Sequence, residues 1–255
     1  MGQDHIEQLD GLADSTEASL ACALDLFAVA DVLREQVALR RAMTDPTLPV
    51  QSREQLLSTL FEGKLGPAAL DFCRQAVAQD WSSGLQLADS VERQATRIAL
   101  KSTDPRRVQV ELNTVREAII ANDKLRAAFG RHAATDEAKS VLVRDLISGR
   151  ADEVTTALVT RASRQGSGVL HELDMQLDLT SQVQGRRLAR ATVAQKLPED
   201  QADRLVQQLS RLFGAVDVIQ HVDPRILGGI KVQVDDELID GSVSAKVSQA
   251  ARGIG

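Results

Sequence analysis

An internal repeat is the feature that most limits how this chain can fold. Residues 25–79 align without a gap with residues 111–165, a shift of 86 positions. Sequence identity between the two segments is modest, but apolar residues recur at the same positions in both. Gly63 and Gly149 stand at the same point of the two copies, each where a glycine would end a helix. Two Ala- and Leu-rich helical stretches can also coincide by chance. We interpret the match as duplication of a helical unit.

Helical periodicity extends through most of the chain. From about residue 16 to residue 187, apolar residues recur at spacings of three and four, and no proline falls inside a periodic segment. Aromatic residues make up only 2% of the chain, which favours Ala- and Leu-rich helices over a β-sandwich or barrel. The predicted helical segments are 20–43, 53–61, 67–79, 84–101, 106–121, 136–147, 152–163 and 168–188.

The pattern changes near residue 188. The alternation that begins at Leu188 predicts a strand, and residues 199–213 predict a helix with one apolar face. A second strand is predicted at 215–222, and two short strands within 229–241 with Asp235 and Asp236 at the turn between them. Ser242 then caps a predicted last helix.

These patterns predict a mostly α fold. We expect a helical bundle with an apparently duplicated helical unit, followed by a small C-terminal α/β domain. The predicted divisions are an N-terminal bundle over 1–104, a second helical copy over 105–187 and an α/β domain over 188–255.

Composition and charge exclude several classes of partner. The net charge is −6, which argues against a phosphate-backbone binder, and the few aromatic residues argue against a nucleic-acid stacking platform. Residues 1–33 contain seven acids and no Lys or Arg, the opposite of a secretory signal. We expect no direct membrane insertion, because no stretch approaches 18 uncharged apolar residues. Cys22 and Cys73 lie in apolar helical patterns, so we expect buried thiols and a cytosolic chain.

No motif for catalysis, metal binding or cofactor binding stands out. Residues 228–231 lack the spacing of a phosphate-binding loop and lead into a strand rather than a helix. The four histidines are scattered without ligand partners. The C-terminal acids do not match a calcium loop, although a metal-dependent enzyme using them is an alternative that a chelator would reveal. These acids are Asp235, Asp236, Glu237 and Asp240.

The last 60 residues carry a specific pattern. Asp223-Pro224 is followed by Ile226-Leu227-Gly228-Gly229, by a strand over 230–234, and by Ile239-Asp240-Gly241-Ser242-Val243. This set resembles the C-terminal domain of the δ subunit of bacterial F-type ATP synthases, the counterpart of the mitochondrial oligomycin-sensitivity-conferring protein. The resemblance covers about residues 190–250 strongly and the rest of the chain at the level of pattern.

The chain departs from the usual pattern of that family in two respects. The usual member has one helical bundle, so the duplication makes this chain similar to the long form found in actinobacteria. The usual Arg-Pro-Tyr-Ala motif near the start is missing, and an acidic segment over 4–14 stands there instead.

The resemblance implies a non-catalytic subunit of the peripheral stalk, or stator, at the cytoplasmic face of the cell membrane. In the family, the helical domain holds N-terminal helices of α subunits and the C-terminal domain holds the C-terminal ends of b subunits. The β subunit is a further candidate partner. No cofactor and no nucleic acid are implied. The alternative is an unrelated cytosolic helical adaptor or scaffold.

Candidate contact residues follow from this resemblance, with burial in the protein's own core as the alternative for each. Trp81 is either an interface anchor or packs at a helix end. The candidates for the α contact are Ile6, Leu9, Leu70 and Phe72. The candidates for the b contact are Leu227, Ile230, Val232, Val234, Ile239, Val243 and Val247. Turn or motif roles are expected for Asp223, Pro224, Gly228, Gly229, Asp240, Gly241 and Ser242.

Overall fold

The computed structural model describes residues 3–130, 134–226 and 228–241, with side chains from Glu7 onward. Its contacts divide the chain into two compact units, one ending at Asp104 and one beginning at Pro105. Helices dominate, and one small mixed sheet lies near the C-terminus, so the predicted fold class is confirmed. Among the described residues, no helix combines the length and the apolar character needed to span a bilayer.

The first unit is a bundle in which α6 packs against α1, α2, α3 and α5. Side-chain caps mark two of its helix starts, where Ser19 accepts a hydrogen bond from the Cys22 N–H and Ser83 from the Gln86 N–H. Its helices are α1 (Gln3–Ser15), α2 (Leu20–Glu35), α3 (Val37–Met43), α4 (Val50–Phe61), α5 (Pro67–Ala78) and α6 (Gly84–Lys101).

The second unit contains the second helical copy and the sheet. Helix α11 is the central helix of this copy, packing against α7, α10 and the first strand of the sheet. The helices of the copy are α7 (Pro105–Ala121), α8 (Asp123–Ala128), α9 (Asp136–Ile147), α10 (Glu153–Arg164) and α11 (Val169–Val183). The elements that follow are β1 (Arg187–Val193), α12 (Glu199–Phe213), β2 (Val216–Val222), β3 (Ile230–Val234) and β4 (Glu237–Asp240).

The two copies also share their backbone geometry at a helix end. Helices α4 and α9 have 12 residues each and end at equivalent positions. Gly63 and Gly149 then adopt left-handed φ angles of +75° and +73°, which glycine reaches without strain. The carbonyls of Phe61 and Ile147 accept equivalent hydrogen bonds from the N–H groups that follow each glycine. The two copies therefore share one turn geometry.

A carboxylate anchors the start of the next helix in each copy. Asp25 on α2 accepts a 2.7 Å hydrogen bond from the Gly66 N–H. At the equivalent position on α7, Glu111 accepts bonds from the Asp152 N–H at 2.9 Å and the Thr155 hydroxyl at 2.6 Å. Burial by itself would raise the pKa of Glu111, but these bonds and Arg107 hold the pKa below its ordinary value.

The prediction of a continuous helix over 20–43 is wrong. Helix α2 ends at Glu35, and α3 begins at Val37 after a non-helical Gln36. The Arg40 guanidinium donates to the carbonyl of Arg34 at 2.6 Å, which satisfies an acceptor that the broken helix leaves without an intrahelical partner.

The second copy has the same break. Helix α7 ends at Ala121, and Asn122 caps α8 by accepting from the N–H groups of Lys124 and Leu125. The Arg126 guanidinium donates to the carbonyl of Ile120 at 3.0 Å. Arg40 and Arg126 are an identical pair of the repeat, so one arginine position serves the same break in both copies.

The sheet has the strand order β2-β1-β3-β4. β1 and β2 are parallel, as the intervening α12 allows, and the other two pairings are antiparallel. The predicted helix 199–213 and the predicted strands are confirmed, whereas the last helix predicted after Ser242 lies outside the described residues. One face of the sheet forms an apolar core with α12, made of Ala189, Ala191, Leu209, Val216, Val232 and Val234.

Polar contacts tie the other face of the sheet to the helices of the same unit. Asp217 on β2 accepts hydrogen bonds from Ser181 on α11 at 3.1 Å and from Gln109 on α7 at 3.3 Å. Arg190 on β1 pairs with Asp178 at 2.9 Å and donates to the carbonyl of Asp174 at 3.0 Å. The sheet of the second unit is therefore held by apolar packing on one face and by charged hydrogen bonds on the other.

The carboxylate anchor makes a testable stability prediction. Asp25→Ala leaves the half-buried Gly66 N–H without its acceptor, so we expect the free energy of unfolding of the first unit to fall by about 1–3 kcal/mol. Urea unfolding followed by Trp81 fluorescence measures this unit. The matched control is Asp71→Ala, an exposed acid bonded within its own helix, which should change stability by less than about 0.5 kcal/mol. Equal effects of the two substitutions would contradict the anchoring role.

Candidate partner-binding surfaces

The candidates for the α contact lie in the core of the first unit. Leu9, Leu70 and Phe72 expose 2%, 8% and 1% of their surface. The side chain of Ile6 lies outside the described residues. Burial gives each of the three a packing role, and their contact with a partner helix stays a prediction.

Trp81 closes the end of α5. Its indole N–H donates a 2.8 Å hydrogen bond to the carbonyl of Ala76, and the residue is 9% exposed. The same carbonyl also accepts a 3.2 Å hydrogen bond from the Gln79 N–H, so the indole adds a second bond at this helix end. The packing alternative for Trp81 accounts for this geometry, and a role as an interface anchor stays a prediction.

Two acids on α1 meet three cations on α6. Asp10 lies 2.8 Å from Arg93 and 3.5 Å from Arg97. Asp14 lies 2.8 Å from Arg97 and 2.9 Å from Lys101. Sequence reasoning missed this network. The spacing of these residues did contain the signal. The two acids are four residues apart and lie on one face of α1, and the three cations follow at four-residue steps on one face of α6.

The network changes the acid–base behaviour of Asp14. Its pKa is lowered from 3.8 to about 2, first by the hydrogen bond from Arg97 and then, against a smaller effect of burial, by Lys101. Because the folded-state pKa lies below the unfolded value, this stabilisation is present above about pH 4. It is lost as the pH falls towards 2.

This shift can be measured directly. NMR titration of the aspartate side-chain carboxyl carbons should give Asp14 a pKa of about 2. In Arg97→Gln the largest cause of the shift is removed, so the pKa of Asp14 should move towards 3.8. A wild-type pKa near 3.8, or no response to Arg97→Gln, would contradict the observed pairing.

The candidates for the b contact divide between the core and the surface of the second unit. Val232 and Val234 are buried in the core against α12, and Ile230 is partly buried beside them. Ile239 on β4 keeps 39% of its surface exposed. Leu227, Val243 and Val247 lie outside the described residues. Of the described candidates, Ile239 is the one whose side chain a partner can reach most readily.

The motif after β2 forms a tight turn. The Asp223 carboxylate accepts hydrogen bonds from the guanidinium and then from the backbone N–H of Arg225, which lower its pKa to about 2. Pro224 lies within this turn, between the two bonded residues. Gly228 and Gly229 follow with φ angles of +133° and +84°, a region that side chains other than glycine rarely adopt.

The motif after β4 returns to β3. The Gly241 N–H donates to the carbonyl of Ile230 at 2.9 Å, and a Cβ at this position would stand 3.2 Å from that oxygen. Asp240 pairs with Lys231 in the strand register. Ser242 lies outside the described residues. The described motif residues thus shape the turns that place β3 and β4.

A cleft of about 470 Å³ opens in the second unit on the polar face of the sheet. A chain of polar contacts lies beside it, in which Arg116 bridges Asp174 and Glu117 at 2.7 Å each, and the Glu117 carboxylate lies 3.1 Å from the His221 Nδ1. Sequence reasoning missed these residues, since no local spacing brings α7 and α11 to the sheet. Arg116 of α7 and Arg190 of β1 both pair with Asp174 of α11, so these contacts join helices to a strand.

The C-terminal acids do not gather into a metal site. Asp235 and Asp236 form the turn between β3 and β4, and Glu237 and Asp240 follow on β4. Within residues 3–130, 134–226 and 228–241, no three His, Cys, Asp or Glu side chains are grouped as metal ligands.

Comparison with known proteins identifies the family. Residues 95–254 match the family model "ATP synthase delta (OSCP) subunit". The ATP synthase subunit delta of Nocardioides sp. is 36% identical over 96% of this chain and 91% of its own length. The chain belongs to the ATP synthase delta (OSCP) subunit family. Subunits of this family are non-catalytic stator components of the F-type ATP synthase. Membership of the family therefore excludes the two alternatives, an unrelated adaptor and a metal-dependent enzyme.

Other delta subunits are similar along nearly the whole chain. That of Streptomyces coelicolor is 34% identical over 96% of this chain and 93% of its own length, and that of Kineococcus radiotolerans is 31% identical over 89% and 85%. These actinobacterial relatives therefore include a region corresponding to the first helical copy. The family-model match begins at residue 95, so it covers the second copy and the sheet and leaves most of the first copy outside.

Proposed function

We propose that this delta subunit joins two partners within the F-type ATP synthase. Its helical part holds the N-terminal helix of an α subunit, and its C-terminal domain holds the C-terminal end of a b subunit. The β subunit is a further candidate partner. The complex places the subunit at the cytoplasmic face of the cell membrane, and the subunit reaches the membrane through b. Membership of the delta (OSCP) family is the observation that carries this proposal.

The task of a stator fits the physical character of the chain. A stator keeps the catalytic head from turning with the rotor, so that proton flow is converted into ATP synthesis. This task requires a stable body and docking faces rather than reacting groups. Helical bundles take partner helices into apolar grooves. The two helical copies and the sheet supply separate docking faces for the two partners.

We further propose that the second helical copy, over 105–187, holds the usual α-subunit site of the family. The support is the family-model match, which begins at residue 95 and includes this copy together with the C-terminal domain. The first copy, over 1–104, is then the addition of the long form. On this proposal Leu9, Leu70 and Phe72, which lie in the first copy, are not part of the usual α site.

Calorimetry tests the α contact and its location. A peptide of the N-terminus of the same organism's α subunit is titrated into the full chain and into fragments 1–104 and 105–255, each checked for helical content by circular dichroism. We expect saturable binding to the full chain and to 105–255. Binding to 1–104 alone would contradict the assignment to the second copy. No binding to any of the three, up to about 1 mM peptide, would contradict the α contact itself.

Two neighbouring residues on β4 test the b contact. Leu238 and Ile239 are exposed by 56% and 39%, and they face opposite sides of the sheet because side chains alternate along a strand. We expect Ile239→Asp to weaken the binding of a peptide from the C-terminal end of b about tenfold, since it places a charge in the proposed contact. Leu238→Asp is the matched control and should change affinity less than about twofold. Equal effects of the two substitutions would contradict a contact through Ile239.

A further inference from the structure

The cleft on the polar face of the sheet has the size of a small-molecule site. Its volume of about 470 Å³ lies within the range of about 300–1,000 Å³ that such sites occupy. Side chains from strands β1 to β4 and from helices α7 and α11 line it. The cleft is therefore shaped by regular elements of the second unit rather than by a single loop.

Three polar side chains of the cleft form one row across three strands. The strand register places Thr192 on β1 directly between His221 on β2 and Lys231 on β3. All three line the cleft. Neighbouring strands lie about 4.8 Å apart, and residues opposite each other share a face of the sheet. One small ligand group can therefore contact all three side chains.

The polar groups of this row are open to a ligand. The His221 Nδ1 lies 3.1 Å from the Glu117 carboxylate, which leaves the Nε2 without a protein partner among the described residues. In the same part of the chain, the Thr192 hydroxyl and the Lys231 ammonium have neither a hydrogen bond nor an ion pair. The row thus differs from the arginines of the cleft, which carboxylates already hold in place.

The chemistry of the row suits a phosphate group. The hydroxyl and the ammonium donate hydrogen bonds to oxygen atoms. The Nε2 accepts from an O–H group when the imidazole is neutral and donates to an anionic oxygen when it is charged. A phosphate group, whose second pKa is about 6, presents both kinds of oxygen near neutral pH. A carboxylate presents only the ionised kind, so the row favours phosphate.

The charge of the cleft also favours an anion, although the net charge of the chain is −6. Three cations and two carboxylates line the cleft, and both carboxylates are already paired, Asp174 with two arginines and Asp223 with Arg225. The three cations are Arg116, Arg190 and Lys231. Of these, within the described residues, Lys231 is the one that an anion can pair with directly.

The remainder of the cleft is apolar. Ile219 and Ile226 line it as partly buried residues, and Leu238 lines it with 56% of its surface exposed. A free phosphate ion would leave these side chains in water. A larger ligand would cover them and gain from the burial of apolar surface.

We propose that this cleft binds the phosphate group of a small phosphorylated molecule. Thr192, His221 and Lys231 hold the phosphate oxygens, and the apolar part of the ligand lies against Leu238. Because Leu238 and Ile239 face opposite sides of the sheet, the site is separate from the proposed b contact. The proposal goes beyond the stator function and does not rest on it.

NMR titration of the full chain tests the site and identifies the source of the phosphate. ATP without magnesium, inorganic phosphate and adenosine are added separately at low salt, and the Thr192 methyl signal is followed. We expect saturable shifts with ATP at a Kd below about 1 mM, weaker binding of phosphate and no saturation with adenosine. Phosphate binding as tight as that of ATP would support the site with free phosphate as its ligand. Adenosine binding as tight as that of ATP, or no response of Thr192 to ATP and phosphate, would overturn the proposal.

Two substitutions test whether the row holds the ligand. Lys231→Gln removes the free cation and should weaken ATP binding at least about fivefold. Thr192→Val removes the hydroxyl and should weaken it at least about threefold.

The matched control is Lys196→Gln. Lys196 is an exposed lysine of the same unit that does not line the cleft, and its substitution changes the net charge by the same amount. It should change the affinity less than about twofold, and circular dichroism verifies that all three variants are folded. Equal effects of Lys231→Gln and Lys196→Gln would show unspecific attraction of ATP to lysine and would overturn the proposal.

Discussion

Each helical copy is organised around its last helix, and the contacts of that helix determine which further element packs against the copy. Helix α6 is buried on several faces between α1, α2, α3 and α5, and α11 lies between α7, α10 and β1. The two helices each follow an aligned segment of the repeat, but they differ in charge. On α6, three cations receive the acids of α1. On α11, Asp174 and Asp178 receive Arg190 of the sheet. The last helix thus packs against α1 in one copy and against the C-terminal sheet in the other.

Local features of the fold could be predicted from the sequence. The apolar periodicity gave most of the helices, the alternation after residue 188 gave the strands, and the pair Gly63 and Gly149 marked one shared turn. The break at Gln36 was missed, because the apolar stripe continues across it and a side-chain contact stabilises the broken helix end. Arg40 satisfies a carbonyl of the preceding helix, and periodicity contains no information about such a bond.

The candidate contact residues show a second limit of sequence reasoning. Apolar residues in a strand or helix indicate burial, but they do not say whether the burial is within the chain or against a partner. Val232 and Val234 are buried in the sheet's own core, whereas Ile239 on the next strand is accessible. The charged network between α1 and α6 joins residues more than 80 positions apart, so no local pattern pairs them. Only the tertiary fold brings the two helices together.

The central claim is that the chain mechanically couples the catalytic head to the membrane. The most direct test uses inverted membrane vesicles of the same organism whose ATP synthase lacks this subunit, mixed with purified catalytic heads. The account predicts that adding the full chain restores both the binding of the heads to the vesicles and ATP synthesis driven by a proton gradient, while ATP hydrolysis by free heads is unchanged. Heads that bind the vesicles and synthesise ATP equally well with and without the chain would contradict it.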